Sequence, residues 1–97
     1  MKITKSDLEN YRFDRQQAEI YNDTNELKRL ESIVACVKET THGTTTKVIM
    51  ARYINGSGLN NNGKRETWKE LAQQLHYNIR HVKRLNSKYL AQIQKSH

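Results

Sequence analysis

Residues 67–93 read TWKELAQQLHYNIRHVKRLNSKYLAQI and decide the fold of this 97-residue chain. Thr67 and Glu70 match a capping box, in which the side chains of both residues pair with free backbone N–H groups at the start of a helix. An apolar stripe follows at once, made of Trp68, Leu71, Ala72 and Leu75. Because apolar residues three and four apart share one helix face, the spacing predicts a helix that ends at Leu75.

A second helix is predicted after the three-residue turn His76-Tyr77-Asn78. Asn78 is a favoured N-cap residue, and the buried stripe that follows consists of Val82, Leu85, Tyr89 and Ile93. The small side chain of Ala72 permits a close helix crossing. The wedge between the helices is predicted to contain Leu71, Leu75, Tyr77, Val82 and Leu85. Two helices joined by so short a turn are typical of a helix-turn-helix.

Basic residues follow the opposite face of the second helix. Burial of Val82 and Leu85 leaves an exposed stripe of Arg80, Lys83, Arg84 and Ser87, with Ile79 beside it. No acidic residue occurs after Glu70. A helix fits the major groove of DNA, where its side chains reach base edges. We therefore expect the stripe to contact DNA, and a merely solvated helix face is the alternative.

Further basic residues, Lys64, Arg65 and Lys69, lie just before and at the start of the first of these helices. A helix N-terminus attracts phosphate, so these residues are candidate phosphate contacts, and a solvated loop is the alternative. Trp68 is predicted to belong to the core rather than to stack on a base. The full set of predicted DNA-binding residues is Lys64, Arg65, Thr67, Lys69, Asn78, Ile79, Arg80, His81, Lys83, Arg84, Ser87 and Lys88.

Residues 67–90 resemble the C-terminal promoter-reading region of bacterial sigma factors. The shared pattern is Thr, apolar, two charged, apolar, small, two polar, apolar, a turn, and a basic helix that ends in Lys-x-Leu. Residues 47–56, KVIMARYING, are similar to the preceding helix of that family, which ends in Arg-aromatic-x-x-Gly. The resemblance implies that Ile79, Arg80, Lys83 and Arg84 face the major groove.

The resemblance covers residues 47–93 and departs from the family pattern in two places. Ile79 stands where sigma factors carry a polar contact residue, and the loop over residues 55–66 is longer than expected. An N-terminal helix joined to such a region also resembles small phage-encoded regulators of the ArpU and RinA kind. This second resemblance implies a phage or prophage transcription regulator.

The N-terminal segment, residues 1–41, is predicted to be helical from Asp7, because Ser6 and Glu9 match a capping box. One partly apolar stripe consists of Leu8, Tyr11, Arg15, Ala18 and Asn22. A second, which we call the heptad stripe, consists of Phe13, Ile20, Leu27, Leu30, Val34 and Val37. Residues 22–25 are poor helix formers, so two helices with a break there are favoured over one helix to Glu39.

The heptad stripe has two alternative uses. A single recognition helix reads few base pairs, so a homodimer held by this stripe would double the DNA site, and we favour that use. The stripe would otherwise fold back onto the chain's own core.

The middle of the chain predicts a turn at Gly43, a third helix over Thr45–Ile54 and a loop over residues 55–65. That helix is expected to bury Val48, Ile49, Ala51 and Tyr53. No strand pattern extends beyond a few residues, so the fold class is all-α. The expected domains are an N-terminal helical segment, 1–41, and a three-helix, sigma-like helix-turn-helix domain, 42–97.

Charge is unevenly distributed between these segments. The chain has a net charge of +7. Residues 1–41 carry seven basic and eight acidic side chains, whereas residues 42–97 carry ten basic and two acidic ones. A basic half favours a polyanion such as double-stranded DNA. No apolar run is long enough for a membrane span, no secretory signal is recognised, and Cys36 is the single cysteine, so we expect a cytoplasmic protein.

The residues indicate neither a cofactor nor a metal, because His76, His81, Cys36 and His42 lack the spacing of a four-ligand zinc site. No nucleophilic triad or phosphate-binding loop is recognised, so we expect a protein without enzymatic activity. The favoured function is a sequence-specific DNA-binding transcriptional regulator. The alternatives are a DNA-packaging subunit of the small-terminase kind, and a protein-interaction module that acts on RNA polymerase.

Overall fold

A computed structural model describes residues 2–55 and 66–95 of the chain. Its α-helices are α1 (Lys5–Ile20), α2 (Thr24–Thr40), α3 (Gly43–Ile49), α4 (Trp68–Leu75) and α5 (Ile79–Lys95), and a π-helical segment, Met50–Ile54, continues α3. Every regular element of the described residues is helical, which confirms the all-α fold class. Among these helices, none combines the length and the apolar character needed to cross a membrane.

Helix α1 begins earlier than predicted. Its N-cap is Thr4, not Ser6: the Thr4 hydroxyl accepts from the Asp7 N–H at 3.1 Å, and the Asp7 carboxylate accepts from the Thr4 N–H at 2.9 Å. Both Thr4–Asp7 and Ser6–Glu9 fit the capping pattern. The earlier start prevails because it places Ile3 and Leu8 at the two positions of a hydrophobic staple, and both side chains are buried in the same cluster.

The predicted break between two N-terminal helices is confirmed. The chain leaves α1 through Asn22, whose φ of 54° is left-handed, a conformation that Asn tolerates better than most residues. Asp23 then caps α2 by accepting from the Glu26 N–H at 3.1 Å. Helices α1 and α2 therefore form a hairpin, packed face to face.

The six residues of the heptad stripe do not lie on one surface, so the prediction that they form one apolar stripe is wrong. Its α2 members contribute to the chain's own core, where Leu30 and Val37 are buried and Leu27 and Val34 pack against them. Its α1 members, Phe13 and Ile20, are exposed. The break interrupts the seven-residue register, and α1 instead turns the other predicted stripe inward, with Leu8, Tyr11 and Ala18 buried.

The third helix also differs from its predicted bounds. It begins at Gly43, which takes the positive φ (54°) expected for the turn, and its last residues widen into the π-helical segment. There the Asn55 N–H donates to the Met50 carbonyl at 2.7 Å, a five-residue step. Val48, Ile49 and Tyr53 are buried as predicted, but Ala51 is only half-buried and Ile54 is buried as well.

The core consists of two clusters that share helix α5. The larger cluster joins α1, α2, Ile49 at the end of α3, the π-helical segment and the C-terminal half of α5, which contributes Tyr89 and Ile93. The smaller cluster joins α3, α4 and the N-terminal half of α5 through Val48, Leu71, Ala72 and Val82. Residues 1–41 and 42–97 thus share one continuous larger cluster.

A buried arginine connects α1 to the segment that leads into α4. Arg12 is only 2% exposed. Its Nη1 donates to the Glu66 carboxylate and its Nη2 to the Ala51 carbonyl, both at 2.8 Å. Because a buried guanidinium must be paired to be tolerated, these two acceptors fix where α1 lies.

We expect Arg12→Ala to lower the free energy of unfolding by about 3 kcal/mol, because it leaves Glu66 facing an uncharged cavity. Urea denaturation followed by circular dichroism measures this loss, with the exposed Lys38→Ala as a control that should stay close to wild type. An unchanged midpoint for Arg12→Ala would contradict the buried position of the guanidinium.

A second arginine, Arg29 of α2, lies at the centre of an acidic cluster. Its guanidinium bonds to Asp7 at 3.4 Å, to Asp14 at 3.2 Å and to Glu26 at 3.0 Å. The hydrogen bond from Arg29 holds the pKa of the Glu26 carboxyl below its ordinary value of 4.5, and the same bond raises the pKa of Arg29. The cluster therefore links α1 to α2 by charge as well as by packing.

Because the pKa of Glu26 is lower in the folded chain than in the unfolded one, its stabilising effect is present above pH 4.5 and is lost as the pH falls through the folded value. We expect Arg29→Met to cost on the order of 1 kcal/mol at neutral pH, since the pairs are solvent-screened, and little well below pH 4.5. Denaturation at both pH values measures this difference, with Lys28→Met as the control. A cost independent of pH would contradict the ion-pair contribution.

Candidate nucleic-acid interface

Helix α4 has the predicted N-cap, Thr67, and the predicted end, Leu75, but the Glu70 carboxylate accepts from the Thr67 hydroxyl and not from a backbone N–H, so the capping box is only half formed. The Thr67 hydroxyl accepts from the Glu70 N–H at 3.2 Å and lies 3.1 Å from the Glu70 carboxylate, to which it donates. Leu71 and Ala72 are buried, and the half-buried Trp68 and Leu75 pack against them. The helix is therefore fixed by its N-cap and by one apolar face, while Thr67 and Lys69 are exposed at its start.

The turn between α4 and α5 is closed by hydrogen bonds. His76 takes a left-handed conformation with a φ of 60°. The Tyr77 N–H donates to the Ala72 carbonyl at 3.0 Å, and the His76 N–H donates to the Gln73 carbonyl at 3.2 Å, which ends α4. Asn78 then caps α5 as predicted, because its side-chain oxygen accepts from the Arg80 N–H at 2.8 Å.

Polar contacts fix the inner face of α5 in addition to its apolar stripe. Asn86 is buried and its side-chain oxygen accepts from the Tyr53 hydroxyl at 2.8 Å. The hydroxyls of Tyr89 and Thr40 lie 2.8 Å apart, and burial raises the pKa of Tyr89. The sequence did not predict the burial of Asn86. Asn86 lies four residues after the buried Val82, but a buried Asn needs a polar partner, and Tyr53 is identified as that partner only by the tertiary structure.

The outer face of α5 carries the predicted basic stripe. Arg80, Lys83, Arg84 and Ser87 are all exposed, and Ile79 and Lys88 are exposed beside them. Because its members are three and four residues apart, the stripe occupies one side of the helix. The structure therefore brings these predicted site residues together on one exposed surface, which we call the α5 basic face.

Arg84 is oriented by a neighbour on the same helix. Its guanidinium donates to the His81 ring nitrogen Nδ1 at 2.8 Å, which requires that nitrogen to be unprotonated. The His81 ring in turn meets Tyr77 edge-on, with centroids 6.1 Å apart. A shallow depression at the start of α5 is lined by Asn78, Arg80, His81 and Arg84. His81 is half-buried, and its contact with DNA stays a prediction.

Trp68 and Arg52 connect this region to the rest of the core. The Arg52 guanidinium lies 4.1 Å from the centroid of the Trp68 ring, within the range of a cation–π contact. Arg52 also donates to the Glu66 carbonyl, and its burial lowers its pKa. This arginine–aromatic pair was missed, because residues 53–67 separate Arg52 from Trp68 in the sequence.

The remaining predicted contacts are placed as follows. Lys64 and Arg65 lie outside the described residues. Lys88 borders a groove of about 180 Å³ between the end of α2, the start of α3 and α5. Within residues 66–95, the two acidic side chains are both engaged, Glu66 with Arg12 and Glu70 with Thr67. No group of His, Cys, Asp and Glu among the described residues is arranged to hold a metal ion.

No protein-family model matches the chain, and neither a curated protein nor a solved structure matches it. The resemblance of residues 47–93 to sigma factors therefore stays a prediction from the sequence.

We expect Trp68→Ala to lower the free energy of unfolding by about 3 kcal/mol, because it removes an aromatic side chain that packs on Leu71 and carries Arg52. Trp68→Phe should lose much less, since an aromatic ring remains. Thermal melting followed by circular dichroism measures both. A melting curve of Trp68→Ala equal to that of wild type would place the indole outside the core and favour base stacking.

Proposed function

We propose that this protein is a sequence-specific regulator of transcription that binds double-stranded DNA with the α5 basic face. The observation that carries the proposal is the division of α5 into two faces. Val82, Asn86 and Tyr89 hold one face in the core, while Arg80, Lys83 and Arg84 are exposed on the other. A helix held from behind by a second helix presents its outer side chains as the major groove requires.

The electrostatics of this surface support the same function. No carboxylate follows Glu70 in the sequence, so nothing on α5 neutralises its basic side chains. Phosphates repel carboxylates and attract lysine and arginine, and they supply most of the affinity of such a surface. Arginine side chains can in addition bond to two acceptors on guanine at once, which reads sequence.

The roles of individual residues follow from their positions. Arg80 lies in the first turn of α5 and Arg84 is pre-oriented by His81, so both are candidates for base contacts. Lys88 lies further along the helix, and Thr67 and Lys69 lie at the start of α4, where phosphate contact is favoured. The resemblance of residues 47–93 to promoter-reading regions supports transcription as the process and RNA polymerase as a further partner. The proposed activity is binding without catalysis.

Homodimerisation on DNA stays a prediction. Its motive is that one helix reads only a few base pairs, so that a dimer would double the DNA site. Its surface cannot be the heptad stripe as a whole, since Leu30 and Val37 are buried within the chain.

The proposal is tested by selecting duplexes from a random library with the wild-type chain and measuring affinity for the selected DNA. The triple variant Arg80→Ala, Lys83→Ala, Arg84→Ala should lose specific binding, and Arg80→Ala alone should lose about 1–3 kcal/mol. The charge-matched control, Lys2→Ala, Lys28→Ala, Lys38→Ala, removes three exposed charges elsewhere and should keep the sequence preference. Equal affinity of the two triple variants would sink the assignment of α5.

A phosphate contact behaves differently from a base contact. We expect Lys88→Ala to weaken binding of all sequences alike and to reduce the slope of log affinity against log salt by about one. Fluorescence anisotropy over a range of salt concentrations measures the slope for both selected and scrambled duplexes. A loss confined to the selected duplex would instead place Lys88 at a base.

A further inference from the structure

Three of the four large exposed hydrophobic residues among the described residues lie on the second half of α1 and at its C-cap. Phe13 is 59% exposed, Ile20 64% and Tyr21 76%. Phe13 and Ile20 are seven residues apart and therefore share one face of α1, and Tyr21 follows at its end. None of them belongs to the α5 basic face, so the proposed function leaves this patch unexplained.

Phe13 and Tyr21 also border a groove. Its lining is completed by Gln17 and Ala18 of α1 and by Asp14, Asp23 and Glu26, and its volume is about 240 Å³. A dry cavity of about 150 Å³ accommodates a benzene molecule, so this groove has room for one aromatic or branched aliphatic side chain. We call the groove with Phe13, Ile20 and Tyr21 the α1 docking surface.

The charge of the α1 docking surface is strongly negative. Asp14, Asp23 and Glu26 line the groove, and Asp7 belongs to the same cluster through Arg29. Among the described residues, Arg29 pairs with Asp7, Asp14 and Glu26, whereas the Asp23 carboxylate caps α2. Because three of these four carboxylates share a single guanidinium, the surface keeps a net negative charge, and a partner that brings positive charge as well as apolar surface is favoured.

We propose that the α1 docking surface binds a basic amphipathic segment of another protein, with an aromatic or branched aliphatic anchor in the groove and lysine or arginine beside it. A second copy of this chain is a poorer occupant. A two-fold dimer brings the same patch of both chains together, so two acidic grooves would face one another. The positive charge that the groove requires lies on the α5 basic face, which the proposed function assigns to DNA.

The test selects peptides from a displayed random library on the full wild-type chain and, in parallel, on the double variant Phe13→Ser, Tyr21→Ser. The enrichment of each peptide is compared between the two selections. Both side chains are exposed, so this variant should fold. The wild type should enrich peptides with lysine or arginine near an aromatic or aliphatic anchor, and the variant should bind them about tenfold or more weakly. The matched control, Asn10→Ser, Gln16→Ser, changes exposed residues of α1 outside the groove and should bind as the wild type does.

The charge requirement is tested separately with Asp14→Asn, Asp23→Asn. Asn is as good an N-cap as Asp, so α2 should keep its start while the groove loses two charges. Selection on this variant should lose the preference for basic residues and keep the preference for an anchor. The proposal would be overturned if the wild type enriched neutral or acidic peptides. It would also be overturned if the wild type and the Phe13→Ser, Tyr21→Ser variant enriched the same peptides.

Sedimentation of the wild type without peptide or DNA addresses the second copy. A dimer that Phe13→Ser, Tyr21→Ser abolishes would also overturn the proposal, because the groove would then hold a second chain. DNA affinity of the same variant separates the two proposals. Unchanged DNA binding with lost peptide binding is the expected result, and failure of DNA binding by the wild type would leave the docking result standing.

Discussion

The guanidinium of Arg12 is almost completely buried, so it must donate to acceptors within the protein. The position of α1 depends on these acceptors. They are the Ala51 carbonyl, in the π-helical segment after α3, and the Glu66 carboxylate, just before α4. Because Arg52 donates to the Glu66 backbone and stacks on Trp68, the same contacts continue into α4. One buried charge thus couples the N-terminal hairpin to the helix that supports α5.

Helix α5 shows how a small, polar chain builds a rigid surface from little apolar material. Only 35% of the residues are hydrophobic, yet one helix takes part in both clusters, through Val82 in the smaller and Tyr89 in the larger. Asn86 and Tyr53 add a buried hydrogen bond between them. The basic residues of the outer face are consequently carried by a backbone that is held along most of its length, which is the preorganisation that groove recognition rewards.

The two halves of the chain differ in charge and in the surfaces that they present. The α5 basic face is free of acidic neighbours along its helix, whereas the hairpin of α1 and α2 gathers Asp7, Asp14 and Glu26 around Arg29. Such segregation keeps polyanions away from one surface and draws them to the other. The chain thus presents a basic surface on α5 and an acidic one on the hairpin.

The sequence by itself determined the all-α class, the break before Asp23, the caps at Thr67 and Asn78, and the inner and outer faces of α5. Each of these depends on local periodicity and capping, which act over a few residues. Tertiary structure alone decided which stripe of α1 faces inward. It also decided the start of that helix, where Ser6 and Thr4 are equivalent by pattern and only the burial of Ile3 with Leu8 separates them. The pairs Arg12–Glu66 and Arg52–Trp68 could not be predicted for the same reason. Their partners lie far apart in the sequence, so no local pattern indicates them, and only packing brings them together.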